Sequence, residues 1–108
     1  MIDIIDKQRE QITTLCERFG VQRLEVFGSA ASGSFDPDRS DVDFLVDFGE
    51  GYDPTLFARY FGLKEALEGL FGRSVDLVMI GALKNPYFIE SVNRTRQSVY
   101  EAPVGEAA

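Results

Sequence analysis

The chain contains no histidine and a single cysteine, Cys16. Without histidine, neither an imidazole base nor a zinc site built on imidazole is available. One cysteine cannot form a disulfide framework, and the position of Cys16 on the apolar face of a predicted helix indicates a core residue. If the protein binds a metal ion, its ligands are therefore oxygen atoms, which favour Mg²⁺, Mn²⁺ or Ca²⁺.

Long apolar runs and an excess of basic residues are also absent. No stretch approaches the ~20 apolar residues that a membrane span needs, and the three acidic residues among the first ten argue against a signal peptide. The net charge of −7 argues against a protein that binds nucleic acid nonspecifically, because such proteins carry a basic surface. We therefore expect a cytoplasmic protein without membrane or direct nucleic-acid contacts, in which a metal ion holds any phosphate-bearing substrate.

The length of 108 residues predicts a single domain over residues 1–108, with residues 101–108 as a frayed tail. Apolar periodicity and turn signals predict, in order, a helix over 3–19, a strand over 21–27, a short helix at 30–31, a strand over 42–48, a helix from the Asp53-Pro54 cap to Gly72, a strand over 74–80, a helix over 86–95 and a short edge strand over 98–100. This alternation predicts an α/β fold, with helices packed on one face of a small mixed sheet.

Two carboxylates begin the second predicted strand. Asp41 and Asp43 are two residues apart, so both side chains leave the strand on the same face. Because neighbouring carboxylates repel each other, a divalent cation is the usual solution. Asp76 lies in the middle of the third strand, between apolar residues, and would complete a metal site if the two strands are neighbours. The alternatives are a solvated strand end for the first two acids and, for Asp76, either a position on an edge strand or an ion pair with Arg73 or Arg94.

A strand-to-helix turn at Gly28-Ser29 precedes these acids. A glycine at such a turn lets the backbone approach a phosphate closely, and the Ser29 hydroxyl and the following N–H groups are donors. The lysine and glycine spacing of a Walker A motif are absent. Taken alone, Gly-Ser is usually only a turn, so the prediction of a phosphate site depends on its combination with the acids.

This combination resembles the signature of the polymerase-β nucleotidyltransferase superfamily. The amino-acid sequences of the second strand and of the start of the last helix resemble those of its minimal nucleotidyltransferase (MNT) branch. Members of this branch are commonly antitoxins paired with a HEPN-domain ribonuclease toxin. The residues that carry the resemblance are Gly28-Ser29, Asp41-x-Asp43 after eleven further residues, Asp76, the run from Ser40 to Val46, and Asn85-Pro86-Tyr87.

The resemblance implies a polymerase-β-like fold and an Mg²⁺-dependent enzyme that transfers AMP from ATP to a hydroxyl, namely a tyrosine, of a HEPN toxin. Asp41, Asp43 and Asp76 would bind two Mg²⁺ ions, and Asp76 would also act as the base. The resemblance also implies a homo- or hetero-oligomer. The implied nucleotide-binding residues are Gly28 and Ser29, which would hold the β- and γ-phosphates, together with Arg39 and Ser40.

One position departs from the family pattern. Ser32 stands where the family usually has an arginine, so one cation near the triphosphate is missing. Arg39 is a candidate replacement. The alternative hypothesis is therefore a non-catalytic antitoxin, whose acidic surface neutralises a basic partner by complex formation. An enzyme acting on RNA or on a small molecule fits less well, because the sequence shows neither a basic track nor a second domain.

Overall fold

The computed structural model describes residues 3–32 and 41–103, and the order of helices and strands is the predicted one. The last helix has the predicted bounds. The elements are α1 (Asp3–Lys7), α2 (Arg9–Arg18), β1 (Arg23–Phe27), α3 (Ser29–Ser32), β2 (Val42–Asp47), α4 (Leu56–Phe71), β3 (Val75–Met79), a 3₁₀ turn (Ile80–Ala82), α5 (Pro86–Thr95) and β4 (Gln97–Glu101).

The four strands form one mixed sheet in the order β3-β2-β1-β4. β1 is antiparallel to both β2 and β4, whereas β2 and β3 are parallel. The predicted mixed sheet is confirmed. The order also makes β3 the neighbour of β2, which is the arrangement that the hypothesis of a shared acid site requires.

Most of the core lies on one face of the sheet. There the alternate strand residues Leu24, Val26 and Phe44 pack with Ile12 and Leu63 of the helices, and the fully buried Cys16 belongs to this core as predicted. A smaller cluster of Phe27, Leu45 and Val92 lies on the opposite face. The helices α1 to α4 thus cover one face as expected, while α5 is the exception and covers the other.

Two helix boundaries differ from the prediction. The first helix is interrupted at Gln8, where no glycine or proline marks the break. The regular part of α4 begins at Leu56, two residues late, because Asp53 caps a turn: its Oδ1 accepts hydrogen bonds from Thr55 N (2.8 Å) and Thr55 Oγ1 (2.6 Å). Gly72 ends α4 in the left-handed conformation, as predicted.

The end of the described chain is ordered by β4. Glu101 pairs with Arg23 of β1, and the Ala102 N–H donates to Gln22 O at 2.8 Å. The predicted frayed tail is therefore wrong for Glu101 and Ala102, and its residues 104–108 lie outside the described part. None of the helices in residues 3–32 and 41–103 is both long and apolar enough to cross a membrane.

Candidate active site

Two of the three predicted acids lie side by side at one end of the sheet. Asp43 of β2 is in register with Asp76 of β3, and neighbouring strands are about 4.8 Å apart. Asp76 is exposed and Asp43 is half-buried. Asp41 lies just before β2 and is exposed, and its charge acts on Asp43. The parallel pairing of β2 and β3 therefore brings Asp43 and Asp76 together, as the sequence predicted.

The surroundings of Asp43 favour its protonated form. Burial first, then a hydrogen bond with Asp76 and the charges of Asp76 and Asp41, raise the pKa of Asp43 from 3.8 to about 6. A divalent cation removes this cost, because it favours ionised carboxylate ligands, and two adjoining carboxylates are a donor set that Mg²⁺ accepts.

The convergence of all three acids is not complete. Among the described residues, no group of three or more histidine, cysteine or acidic side chains is close enough together to hold a metal ion as placed. Asp41 therefore lies outside the pair formed by Asp43 and Asp76, and it adjoins residues 33–40, which are outside the described part.

The backbone of Gly28 lies against Asp43, one of the two paired acids. Its φ of +71° is in the left-handed region, and a Cβ added there would lie 2.6 Å from Asp43 Oδ2. Both facts require glycine at this position. Ser29, the next residue, begins the four-residue helix α3. The Gly-Ser turn and the acids, eleven residues apart in sequence, thus belong to one site.

A cavity of about 280 Å³ opens beside the acids. It is lined by Phe27, Asp43, Tyr60, Lys64, Asp76, Leu77, Val78 and Phe88. Phe88 is 40% exposed, and its ring packs edge to face on that of Phe27, with 6.0 Å between the ring centroids. A larger cavity of about 600 Å³ adjoins Asp47, about 13 Å along β2 from Asp43, and holds no second acid.

Comparison with known proteins gives the family. Residues 8–99 match the nucleotidyltransferase domain family. The chain belongs to this family. The protein adenylyltransferase MntA of Thermococcus cleftensis is 51% identical over 71 residues, which cover 66% of this chain and 68% of that protein. The nucleotidyltransferase predicted from Gly28-Ser29 and the acids is confirmed at the level of family and enzyme class.

Solved structures give the same fold for this nucleotidyltransferase. A minimal nucleotidyltransferase matches it with a TM-score of 0.70 and 39% identity, covering 89% of this chain and 95% of that one. A complex of a tri-AMPylated Shewanella oneidensis HEPN toxin with its MNT antitoxin matches with a TM-score of 0.62, covering 91% of this chain and 73% of that one. At 17% identity, this second likeness shows the fold alone.

Three consecutive residues that sequence reasoning did not assign to the site contact the Gly-Ser turn or the elements on either side of it. The Gly28 N–H donates to Thr95 Oγ1 at 2.8 Å, at the end of α5. Gln97 Nε2 donates to Ala31 O at 3.0 Å. Between them, Arg96 binds Glu25 of β1. No motif marks Thr95 or Gln97, because their partners are more than 60 residues away in sequence.

Arg96 forms a bidentate ion pair with Glu25, a buried residue of β1. Its Nε and NH2 donate to the two carboxylate oxygens at 2.8 and 2.7 Å. The Arg96 hydrogen bonds, more than its charge and that of Arg23, lower the pKa of Glu25. Arg96 therefore connects the end of α5 to β1. Arg94 instead pairs with Glu90 on the exposed side of α5, at 2.8 Å.

Two predicted nucleotide-binding residues, Arg39 and Ser40, lie outside the described residues. Ser32 is the last residue of α3.

Burial raises the pKa of the Cys16 thiol to about 12, which agrees with a structural role for this cysteine and not a reactive one.

Proposed function

We propose that this nucleotidyltransferase transfers AMP from ATP to a tyrosine hydroxyl of a HEPN ribonuclease toxin and thereby acts as its antitoxin. The observation that carries the proposal is the Asp43–Asp76 pair beside the backbone of Gly28. A 51% identical relative, which is a protein adenylyltransferase, supports it. A protein of the same fold is an MNT antitoxin in complex with a tri-AMPylated HEPN toxin.

The proposed roles follow from the chemistry of each group. Asp43 and Asp76, with Asp41 at the rim, would hold two Mg²⁺ ions, which neutralise the charge of the phosphates when bound. Gly28 and Ser29 would hold the β- and γ-phosphates, with Arg39 and Ser40 as further contacts to the nucleotide.

In the proposed reaction, the acceptor loses its hydroxyl proton to the carboxylate of Asp76, and its oxygen bonds to the α-phosphorus. The bond from that phosphorus to the bridging oxygen breaks, and pyrophosphate leaves with the electron pair. The protein supplies mainly position and charge neutralisation in this mechanism.

The test uses two labelled forms of ATP with the protein and its partner toxin. We expect label from the α-phosphate to appear on the toxin in the presence of Mg²⁺, and label from the γ-phosphate to leave as pyrophosphate. The control is Asp76→Asn, for which transfer should fall by at least about 10²-fold because the proposed base is lost. Absence of α-label on the toxin with the unmodified protein, or equal transfer by the variant, would contradict the proposal.

A second candidate is neutralisation by binding alone. Ser32 in place of the family's arginine favours it, as does the net charge of −7, which suits a basic ribonuclease partner. The two functions separate in one assay, the inhibition of toxin ribonuclease activity by the protein with Asp41, Asp43 and Asp76 all changed to Asn. Binding alone predicts full inhibition without ATP, whereas the enzymatic function predicts that inhibition is lost.

A further inference from the structure

The 280 Å³ cavity runs along the acid pair, from Phe27 beside Asp43 to Asp76 and the residues that follow it in β3. Phe27 pairs with Asp43, and Asp43 pairs with Asp76, so the Gly28 turn, Asp43 and Asp76 follow one another across the sheet, with Asp76 at the outer edge. In phosphoryl transfer, the attacking and leaving oxygens lie roughly in line on opposite sides of phosphorus. If the turn at Gly28 holds the leaving pyrophosphate, the acceptor therefore enters on the side of Asp76, which lines this cavity together with the next two residues of β3 and two residues of α4.

The size and the walls of the cavity suit one aromatic side chain. Its volume of about 280 Å³ lies at the lower limit of small-molecule pockets, which run from roughly 300 to 1,000 Å³. Three of its lining residues are aromatic: Phe27, Tyr60 and Phe88. Rings packed edge to face or offset are favourable at centroid distances of roughly 4.5–7 Å. Aromatic residues from β1, α4 and α5 thus line the cavity, and such a lining favours an aryl ligand.

Lys64 contributes the positive charge of this cavity's lining. Its Nζ lies 3.7 Å from Glu68 Oε2, one turn further along α4. The same Oε2 accepts the N–H of Val75 at 3.1 Å, and Val75 directly precedes Asp76. Glu68 therefore ties the Lys64 side chain to the start of β3. About a third of the Lys64 side chain remains exposed, and Lys64 lines the cavity.

We propose that this cavity is the acceptor subsite, and that Lys64 contacts the acceptor oxygen and favours an aromatic hydroxyl. This inference rests on the proposed function. A phenol has a pKa near 10, far below that of water, so a neighbouring ammonium group stabilises its phenolate effectively. The phenol proton leaves to the Asp76 carboxylate, the oxygen bonds to the α-phosphorus, and pyrophosphate departs.

The experiment measures AMP transfer to the partner toxin by full-length Lys64→Met, Lys64→Arg and unmodified protein at varied concentrations of toxin and of Mg²⁺-ATP. For Lys64→Met we expect kcat/KM for the toxin to fall on the order of 10²-fold, while KM for ATP changes less than about twofold. Lys64→Arg keeps the charge and should recover most of the loss. Lys7→Met, an exposed lysine of α1, is the matched control and should behave like the unmodified protein.

Each outcome decides between the hypotheses. Unchanged transfer by Lys64→Met, or a loss that appears equally in KM for ATP, overturns the acceptor subsite and leaves the proposed function standing. A label that mass spectrometry finds on serine or threonine overturns both the acceptor subsite and the tyrosine acceptor of the proposed function. Absence of transfer by the unmodified protein overturns both. Thermal melting of each variant shows whether it folds, and recovery by Lys64→Arg distinguishes a lost charge from a disturbed helix.

Discussion

At position 28, the backbone conformation and a neighbouring carboxylate each independently disfavour any residue with a side chain. An alanine there would carry the left-handed φ, which costs about 1–2 kcal/mol, and would place its Cβ against Asp43 Oδ2. We predict that Gly28→Ala lowers AMP transfer on the order of 10²-fold, because it displaces either the turn or the acid. Steady-state transfer to the toxin, measured beside urea unfolding, checks this.

Gly72 offers the matched control for this prediction. Its φ of +64° is similar, but nothing lies within 4 Å of an added Cβ. Gly72→Ala should therefore lower the free energy of unfolding by a similar ~1–2 kcal/mol while transfer by the folded protein stays normal. Equal transfer by the two variants would show that the contact between Gly28 and Asp43 has no part in activity.

The carboxyl group of Asp43 is expected to reduce stability when no metal is present. Its pKa is raised from 3.8 to about 6 in the folded protein, so the folded state binds its proton more tightly than the unfolded state does. The protein therefore loses stability as the pH rises from about 4 to 6. We predict that Asp43→Asn, in buffer with EDTA at pH 8, raises the free energy of unfolding by about 1–2 kcal/mol.

Urea unfolding at two pH values tests this sign. The gain in the free energy of unfolding of Asp43→Asn should vanish near pH 4, where the wild-type carboxyl is protonated in the folded state. This comparison is the internal control. Mg²⁺ with ATP should stabilise the wild type and not the variant. A variant that is less stable than the wild type at pH 8 in EDTA would refute the proposed repulsion.

At the scale of elements, the junction of α5 and β4 holds the strand that carries the turn. The consecutive residues Thr95, Arg96 and Gln97 bind Gly28, Glu25 and Ala31 respectively. The central contact is the ion pair of Arg96 with the buried Glu25. The junction thus connects the last two elements of the chain to the site built by β1 and α3.

We predict that Glu25→Gln lowers the free energy of unfolding at pH 7 by about 2 kcal/mol, because charge-assisted hydrogen bonds are lost in a buried position. The pKa of Glu25 is lowered below its ordinary 4.5 in the folded state, so this stabilisation is present above pH 4.5 and is lost as the pH falls further. Thermal or urea unfolding between pH 3 and 7 should therefore show the two proteins converging at low pH.

The exposed pair of Glu90 and Arg94 is the control for this prediction. Its two side chains are 63% and 71% exposed, so Glu90→Gln should change stability by no more than about 0.5 kcal/mol. If Glu25→Gln changes the free energy of unfolding as little as Glu90→Gln does, the contact of Arg96 with Glu25 does not stabilise β1.

The same elements show how far the sequence predicts the structure. Asn85-Pro86 fixed the start of α5 correctly, because the Asn85 side chain accepts the N–H groups of Tyr87 and Phe88. The neighbouring Asp43 and Asp76 could be predicted from the pattern of acids in apolar strands. The contacts of Thr95 and Arg96 could not, because periodicity specifies which face is apolar and not which side chains meet across 67 or 71 residues.

For the molecule as a whole, the sheet order explains how so small a chain builds a site. The antiparallel pairing of β1 with β2 and the parallel pairing of β2 with β3 bring the end of β1 and the starts of β2 and β3 to the same end of the sheet. The turn and the acid pair meet there. The net charge of −7 makes a metal ion the natural means of holding a triphosphate against this acidic surface.

The central claim is that the acid pair of β2 and β3 binds the metal ions that hold the nucleotide. The most direct measurement is a titration with Mn²⁺, followed by electron paramagnetic resonance, with and without a non-hydrolysable ATP analogue. We predict that up to two equivalents of Mn²⁺ bind the wild type when the analogue is present, and that Asp43→Asn and Asp76→Asn lose this binding. Binding that does not depend on the analogue, or that survives in both variants, would contradict the account.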